Sequence, residues 1–109
     1  MVSLSLILPI HNAVSTICRC LDSIITQYRS DFEVILVDDG STDGSTKICA
    51  EYCNVDPRFM LLYQDNHGVS SARNHGLLEA RGEVISFVDA DDYLSPTYTN
   101  RLLAEFEQR

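Results

Sequence analysis

Hydrophobic residues along this chain follow two alternating patterns. Short, nearly unbroken, β-branched runs occur at 4–8 (LSLIL), 33–38 (EVILVD), 59–63 (FMLLY) and 83–88 (EVISFV). Continuous apolar character over such lengths suits strands covered on both faces. Between them, apolar residues recur at steps of three and four. Val14, Ile17, Leu21, Ile24, Ile25 and Tyr28 form one stripe, Ile48, Cys49, Tyr52 and Cys53 a weaker one, and Val69, Ala72, Gly76, Leu77 and Ala80 a third, closed by Gly82. A fourth helix is expected from Ser95-Pro96, a cap followed by proline in the first turn, with Leu102, Leu103 and Phe106 on its inner face. Strands and helices in alternation predict an α/β fold: a doubly wound, Rossmann-like, mainly parallel sheet with flanking helices and right-handed crossovers.

In an open parallel sheet, ligands bind outside the carboxyl ends of the strands. Polar clusters follow each run: Pro9-Ile10-His11-Asn12, then Asp38 to Asp43, then Gln64 to Gly68, then Asp89-Ala90-Asp91-Asp92. All four are expected on one rim. In the last, three carboxylates sit within four residues, and like charges so close repel unless a cation compensates. Asp89 and Asp91 flank Ala90, so an extended segment would point both the same way. Paired oxygen donors suit a hard, partly hydrated divalent cation, Mg²⁺ or Mn²⁺, shared with phosphate oxygens. The competing reading, acids favouring the dipole of a helix that starts at Ser95, accounts for one acid and not three. Asp38 and Asp39 precede Gly40 in a good turn sequence, and a carboxylate at a second-strand tip is also placed to accept donors from a ribose or base. Both roles stay open on the residues alone. Arg73, early in the third helix, is read as a surface arginine or as a cation for a phosphate or base near that helix's N-terminus. His11, His67 and His75 are each isolated, and Lys47 belongs on a solvated helix face.

Composition narrows the ligand. The 109 residues allow one domain without linker or repeat, and 16 acids against 8 bases give a net charge of −8. That excludes a duplex-binding footprint and any nucleic-acid partner. A phosphate-rich ligand would need a metal to bridge it. The apolar run from Leu4 to Ile10 is too short to span a membrane and lacks the basic flank of a signal peptide. Cys18, Cys20, Cys49 and Cys53 do not follow zinc spacings; they read as reduced packing residues and place the chain in the cytoplasm, including the cytoplasmic face of a membrane.

The segments PIHN (9–12), VDDGSTDGS (37–45), NHGVSSARNHG (66–76) and GEVISFVDADDYLSP (82–96) stand in an order and spacing that resembles the N-terminal half of the inverting family 2 glycosyltransferases of GT-A fold, over essentially the whole chain. The resemblance implies a donor, or nucleotide-sugar-binding, half of a GT-A domain over 1–109, with the acceptor half absent and the chain truncated. It implies transfer of a sugar from a nucleotide-diphosphate sugar, a UDP-sugar first of all, to a saccharide or lipid acceptor with inversion. It assigns Asp39 to the nucleobase, Pro9 to the segment against which the base packs, and Arg73 to the base and diphosphate. Asp89 and Asp91 match the DxD motif, with Asp91 as direct ligand of Mn²⁺ or Mg²⁺ and Asp89 nearer the ribose and diphosphate. The general base belongs beyond residue 109, so the isolated chain is expected to bind donor without completing transfer. The alternatives are a non-catalytic nucleotide-binding module and a phosphoacceptor receiver domain. The receiver needs its acid pair on the first strand and a lysine after the last, whereas the pair here follows the second and Lys47 comes soon after it. A nucleotidyltransferase would need a Gly-rich basic loop after the first strand, which LPIHNAVS lacks.

Overall fold

The computed structural model describes residues 2–108. Four strands and four helices alternate: β1 (Leu4–Ile10), α1 (Ile17–Ile25), β2 (Phe32–Asp39), α2 (Ser45–Val55), β3 (Phe59–Gln64), α3 (Val69–Glu79), β4 (Val84–Phe87) and α4 (Tyr98–Glu107). All neighbouring strands are parallel, in the order β3-β2-β1-β4. β2 is buried along its whole length and β1 nearly so, as expected of strands with helices on both faces. One core layer gathers Leu4, Leu6, Leu8 and Ile10 with Ile17, Leu21, Ile24 and Leu103; the opposite face packs Ile7, Ile35 and Val37 against Ala72.

This order excludes the receiver architecture, in which the first strand lies between the second and third. Here β1 lies between β2 and β4, and the connection reverses direction there. β4 pairs with β1 only from Leu4 to Ile7, while β2 stays paired through Ile10. Proline at position 9 fits this parting. Ile7 accepts from the Val88 N–H, so the missing N–H of Pro9, two residues on, faces the side from which β4 has turned away. A crevice opens between the two strand ends.

Three expectations need correction. Pro9 and Ile10 belong to β1 itself and not to the loop after it. The fourth helix begins at Tyr98, because Ser95 to Tyr98 form a turn closed by the Tyr98 N–H on the Ser95 carbonyl, and Ser95 caps nothing. In the third stripe only Ala72 and Gly76 are buried; Val69 and Leu77 are 50% and 42% exposed. Small residues at i and i+4 bring α3 close to the sheet: a Cβ on Gly76 would stand 2.6 Å from Ile7 Cγ2.

At the amino ends of the strands, a buried Glu33 ties the sheet together. It accepts from Ser5 Oγ (2.6 Å), the Arg81 N–H (2.6 Å) and Arg81 Nε (3.0 Å), and Ser5 Oγ in turn accepts from the Gly82 N–H (2.9 Å). This closes the α3–β4 connection against β1 and β2, at the far end from the polar rim.

Candidate functional site

Parallel pairing puts the four polar clusters on one rim, and short bonds join them. Asn12, with φ of 50°, accepts the Thr42 N–H through Oδ1 (2.7 Å) and donates its own N–H to Ser41 Oγ (3.0 Å). The Ala13 and Val14 N–H groups donate to Ser45 Oγ (2.9 Å) and Asp43 Oδ2 (3.1 Å). The β1–α1 loop is thus moulded on the β2–α2 loop. Asp38 serves the same purpose: its carboxylate accepts from the Ser41 N–H and from Thr46 Oγ1, which commits it to structure.

At the reversal point between β1 and β4 lies an open cavity of about 470 Å³, lined by Pro9, His11, Asn12, Ala13, Ser15, Thr16, Asp89, Ala90 and Asp91. A smaller recess of about 100 Å³, lined by Pro9, Ile10, His11, Asp39 and Val69, adjoins it through Pro9 and His11. His11 lines both, and its Nδ1 donates to the Asp39 carbonyl (2.9 Å). Reading His11 as an isolated loop histidine missed this; its place directly after β1, in line with the acids of β2 and β4, was the available signal. His67 and His75 line neither cavity, although the His67 backbone N–H and the His75 ring enter the Asp39 network below.

The acidic loop closes the larger cavity. Asp89, Asp91 and Asp92 each offer a carboxylate oxygen within 4.8 Å of the others, all exposed, and among the described residues no other such group of three occurs. A turn produces this convergence, with the Asp92 N–H donating to the Asp89 carbonyl (3.0 Å), and not the pleat alternation expected from the sequence. The acids stand well ahead of Tyr98, where α4 begins, so they do not serve its dipole. Among the described residues the one ion pair to these acids comes from Arg73, whose Nη2 is 3.9 Å from Asp89 Oδ1, a long and half-exposed contact that offsets little of three charges. Arg73 lies 5.5 Å over the Phe87 ring, and its Nε is buried without a partner. Clustered hard oxygens lacking donors, beside an arginine with unspent bonding capacity, fit a hydrated divalent cation and a phosphate better than they fit one another.

Asp39 differs in kind, being 4% exposed. Its Oδ1 accepts from Gln64 Nε2 (2.9 Å) and the His67 N–H (2.8 Å), and its Oδ2 from the Gly68 N–H (3.0 Å). Because the Asp39 carboxylate only accepts, it takes the NH₂ end of the Gln64 amide, and Gln64 Oε1 then faces His75 Nδ1 (3.1 Å), which donates to it. Burial alone would raise the Asp39 pKa, but the donors from Gln64, His67 and Gly68 win and hold the carboxyl below its usual range. Oδ2, with one donor, keeps acceptor capacity where Asp39 lines the smaller recess. The turn role and the ligand role weighed from the sequence are therefore compatible in one side chain.

The four cysteines are all free, and they form no metal-holding group among the described residues. Burial pushes the Cys20 and Cys49 thiols up to about 12, which suits packing residues. Lys47 is exposed on α2, as expected. Among the described residues, no helix is long and apolar enough to cross a membrane.

Comparison with known proteins agrees with this geometry. The chain is 46% identical over 104 residues to the uncharacterized glycosyltransferase EpsJ of Bacillus subtilis, covering 95% of this chain and 30% of that one. It is 41% identical to glycosyltransferase GlyA of Streptococcus pneumoniae, over 91% of this chain and 14% of the relative. The chain thus spans about a third or less of the curated relatives it matches. Among solved structures, S. aureus TarS 1–349 in complex with UDP-GlcNAc superposes with a TM-score of 0.90 at 31% identity, over 97% of this chain and 31% of that one. The mannosyltransferase PcManGT of Pyrobaculum calidifontis in complex with GDP-Man and Mn²⁺ gives 0.86 at 26%, over 92% and 31%. Residues 5–109 match the family described as Glycosyl transferase family 2, so an acidic rim on a GT-A-type parallel sheet belongs here to a member of that family.

Proposed function

We propose that this chain is the donor-binding half of a metal-dependent inverting glycosyltransferase, taking its sugar from a nucleotide-diphosphate sugar, a UDP-sugar first of all. The observation that carries the proposal is the pair of adjoining recesses at the strand reversal: a small one containing a buried acceptor, Asp39, and a larger one edged by Asp89 and Asp91. Nucleotide sugars are bound by the relatives TarS (UDP-GlcNAc) and PcManGT (GDP-Man with Mn²⁺), which supports the same ligand class here.

In this reading the base enters the smaller recess, packs against Pro9 and gives an N–H to Asp39 Oδ2, where a prepaid acceptor costs no reorganisation. Arg73 turns its unpartnered Nε and guanidinium edge toward the base and diphosphate. Asp91, helped by Asp89, would hold Mn²⁺ or Mg²⁺, which supplies the positive charge that stabilises the departing nucleoside diphosphate. Asp89 would lie nearer the ribose and diphosphate. Held as ligands, these acids are poor proton acceptors, so the base that activates the acceptor hydroxyl belongs to a part of the enzyme outside residues 1–109. The acceptor, a saccharide or lipid, is bound there too. Four free thiols suit the reducing cytoplasm, at or near the membrane face.

The test is calorimetric titration of UDP into the chain with and without Mn²⁺, for wild type and Asp91→Ala. Metal-dependent binding that Asp91→Ala removes is the expected result. Binding that ignores Mn²⁺, or transfer to an acceptor above background by this chain alone, would contradict it.

A further inference from the structure

The acidic loop is mounted on one face of α1, and the mount is polar. Thr16, Cys20, Ser23 and Gln27 step by four, three and four, which places them in one stripe along the helix and its two ends. Each bonds a backbone group of the segment that carries the acids. Thr16 Oγ1 donates to the Ala90 carbonyl (3.0 Å), and Cys20 Sγ lies 3.7 Å from the Asp89 carbonyl. Ser23 Oγ gives its proton to the Cys20 carbonyl (2.6 Å) and so turns a lone pair to the Leu94 N–H (2.9 Å). Gln27 uses its whole amide. Nε2 donates to the Ser95 carbonyl (2.6 Å) and the Ser23 carbonyl (3.1 Å), while Oε1 accepts from the Thr99 N–H (2.9 Å) and Thr99 Oγ1 (3.1 Å). The Tyr28 N–H adds a bond to the Pro96 carbonyl (3.0 Å), and the Arg19 guanidinium lies 3.8 Å over the Tyr93 ring.

We propose that this polar face of α1 positions the metal-binding carboxylates: Thr16 and Ser23, without ligating, set the spacing of Asp89 and Asp91 and hence the affinity for the cation. The inference rests on the functional reading above. Its physical basis is that the stripe grips the loop through main-chain atoms, leaving the carboxylate side chains free, and that a loop ordered in advance loses less entropy on closing around an ion. Three carboxylates that repel one another would otherwise spread the loop, and the helix opposes that spreading.

The experiment compares wild type with Thr16→Val, Thr16→Ser and Ser23→Ala in the same chain. Mn²⁺ binding is followed by the loss of its free-ion paramagnetic resonance signal, and amide exchange by NMR at Asp92 and Leu94. Thr16→Val and Ser23→Ala should each weaken Mn²⁺ binding by roughly fivefold, the scale of one lost hydrogen bond. Thr16→Ser, which keeps the hydroxyl, should stay near wild type. Exchange at Leu94 should quicken in Ser23→Ala while Ile7 and Ile35 in the core stay protected. Mn²⁺ affinities within twofold of wild type in both disruptive variants would overturn the mount alone. Failure of the wild-type chain to bind Mn²⁺, with or without UDP, would overturn the metal reading and this inference with it.

Discussion

Replacing Asp39 by asparagine keeps the shape of the side chain and changes only its hydrogen-bonding sense. In the wild type the carboxylate receives three donors, two on Oδ1 and one on Oδ2, with Gln64, His67 and Gly68 as their sources. Asparagine has one acceptor oxygen. Placed at Oδ1 it keeps Gln64 and His67 but sets its NH₂ against the Gly68 N–H; placed at Oδ2 it keeps Gly68 and opposes the other two. The better orientation still loses one buried bond and weakens two that were charge-assisted, so the cost is about 2–3 kcal/mol. For a domain of this size that is a fall in Tm of roughly 10–20 °C. The sign with pH follows from the lowered Asp39 pKa: its stabilisation is fully present above the ordinary carboxylate range and is lost as pH falls through the folded value. The gap between wild type and Asp39→Asn should therefore be full at pH 7 and narrow steadily below about pH 4. Urea unfolding followed by circular dichroism from pH 7 to pH 3 measures it. A gap below about 1 kcal/mol at pH 7, or one that does not change with pH, would refute the account of Asp39 as a buried, multiply bonded carboxylate.

Glu33→Gln should cost about 2–3 kcal/mol by the same logic, since its carboxylate holds Ser5 and the Arg81 N–H, whereas Arg81→Gln should cost under about 1 because the Arg81 side chain is 69% exposed and its backbone donor remains; chemical denaturation compares the two, and equal costs would move the credit to the exposed ion pair. Gly82→Ala should destabilise by roughly 2 kcal/mol or more, as its Cβ would meet the Ser5 nitrogen at 2.6 Å and the Leu4 carbonyl carbon at 2.7 Å, backbone atoms that cannot swing aside; a thermal melt within about 2 °C of wild type would count against that contact. Iodoacetamide at pH 7.5 should alkylate exposed Cys18 readily and spare Cys49, whose buried thiol is pushed up to about 12; mass spectrometry of tryptic peptides reads the order, and early labelling of Cys49 would contradict its burial.

Much of the fold was legible because burial writes a strong signal. The strands sandwiched between helix layers are near-continuous apolar runs, and α1 carries a regular stripe of Ile17, Leu21 and Ile24. The rim followed from topology alone, since parallel strands must share a carboxyl end. The errors lie where local chemistry met a tertiary demand. Ser95-Pro96 has the form of a helix start, but the Ser95 carbonyl is taken by Gln27 and by the turn to Tyr98, so the helix begins later. The α3 stripe promised larger packing residues than the close approach of Gly76 to Ile7 admits. Apolar periodicity also hid a second pattern in α1: Thr16, Cys20, Ser23 and Gln27 repeat at helical spacing, but their partners lie about seventy positions away and nothing local marks them. His11 was hidden for a similar reason, as its significance comes from two loops that meet only in the folded sheet.

The grip of α1 on the loop reaches carbonyls and amides and stops short of the acidic side chains. Peptide groups are common to every residue type, so the fastening makes no demand on what stands at 91 or 92. Chemistry and anchorage are thereby written in separate alphabets. A substitution that replaces a carboxylate alters the charge the rim presents, and the loop still sits where it sat. The scaffold can in this way be refitted for a different ligand by exchanging a few outward side chains, with no need to refold the cradle that presents them.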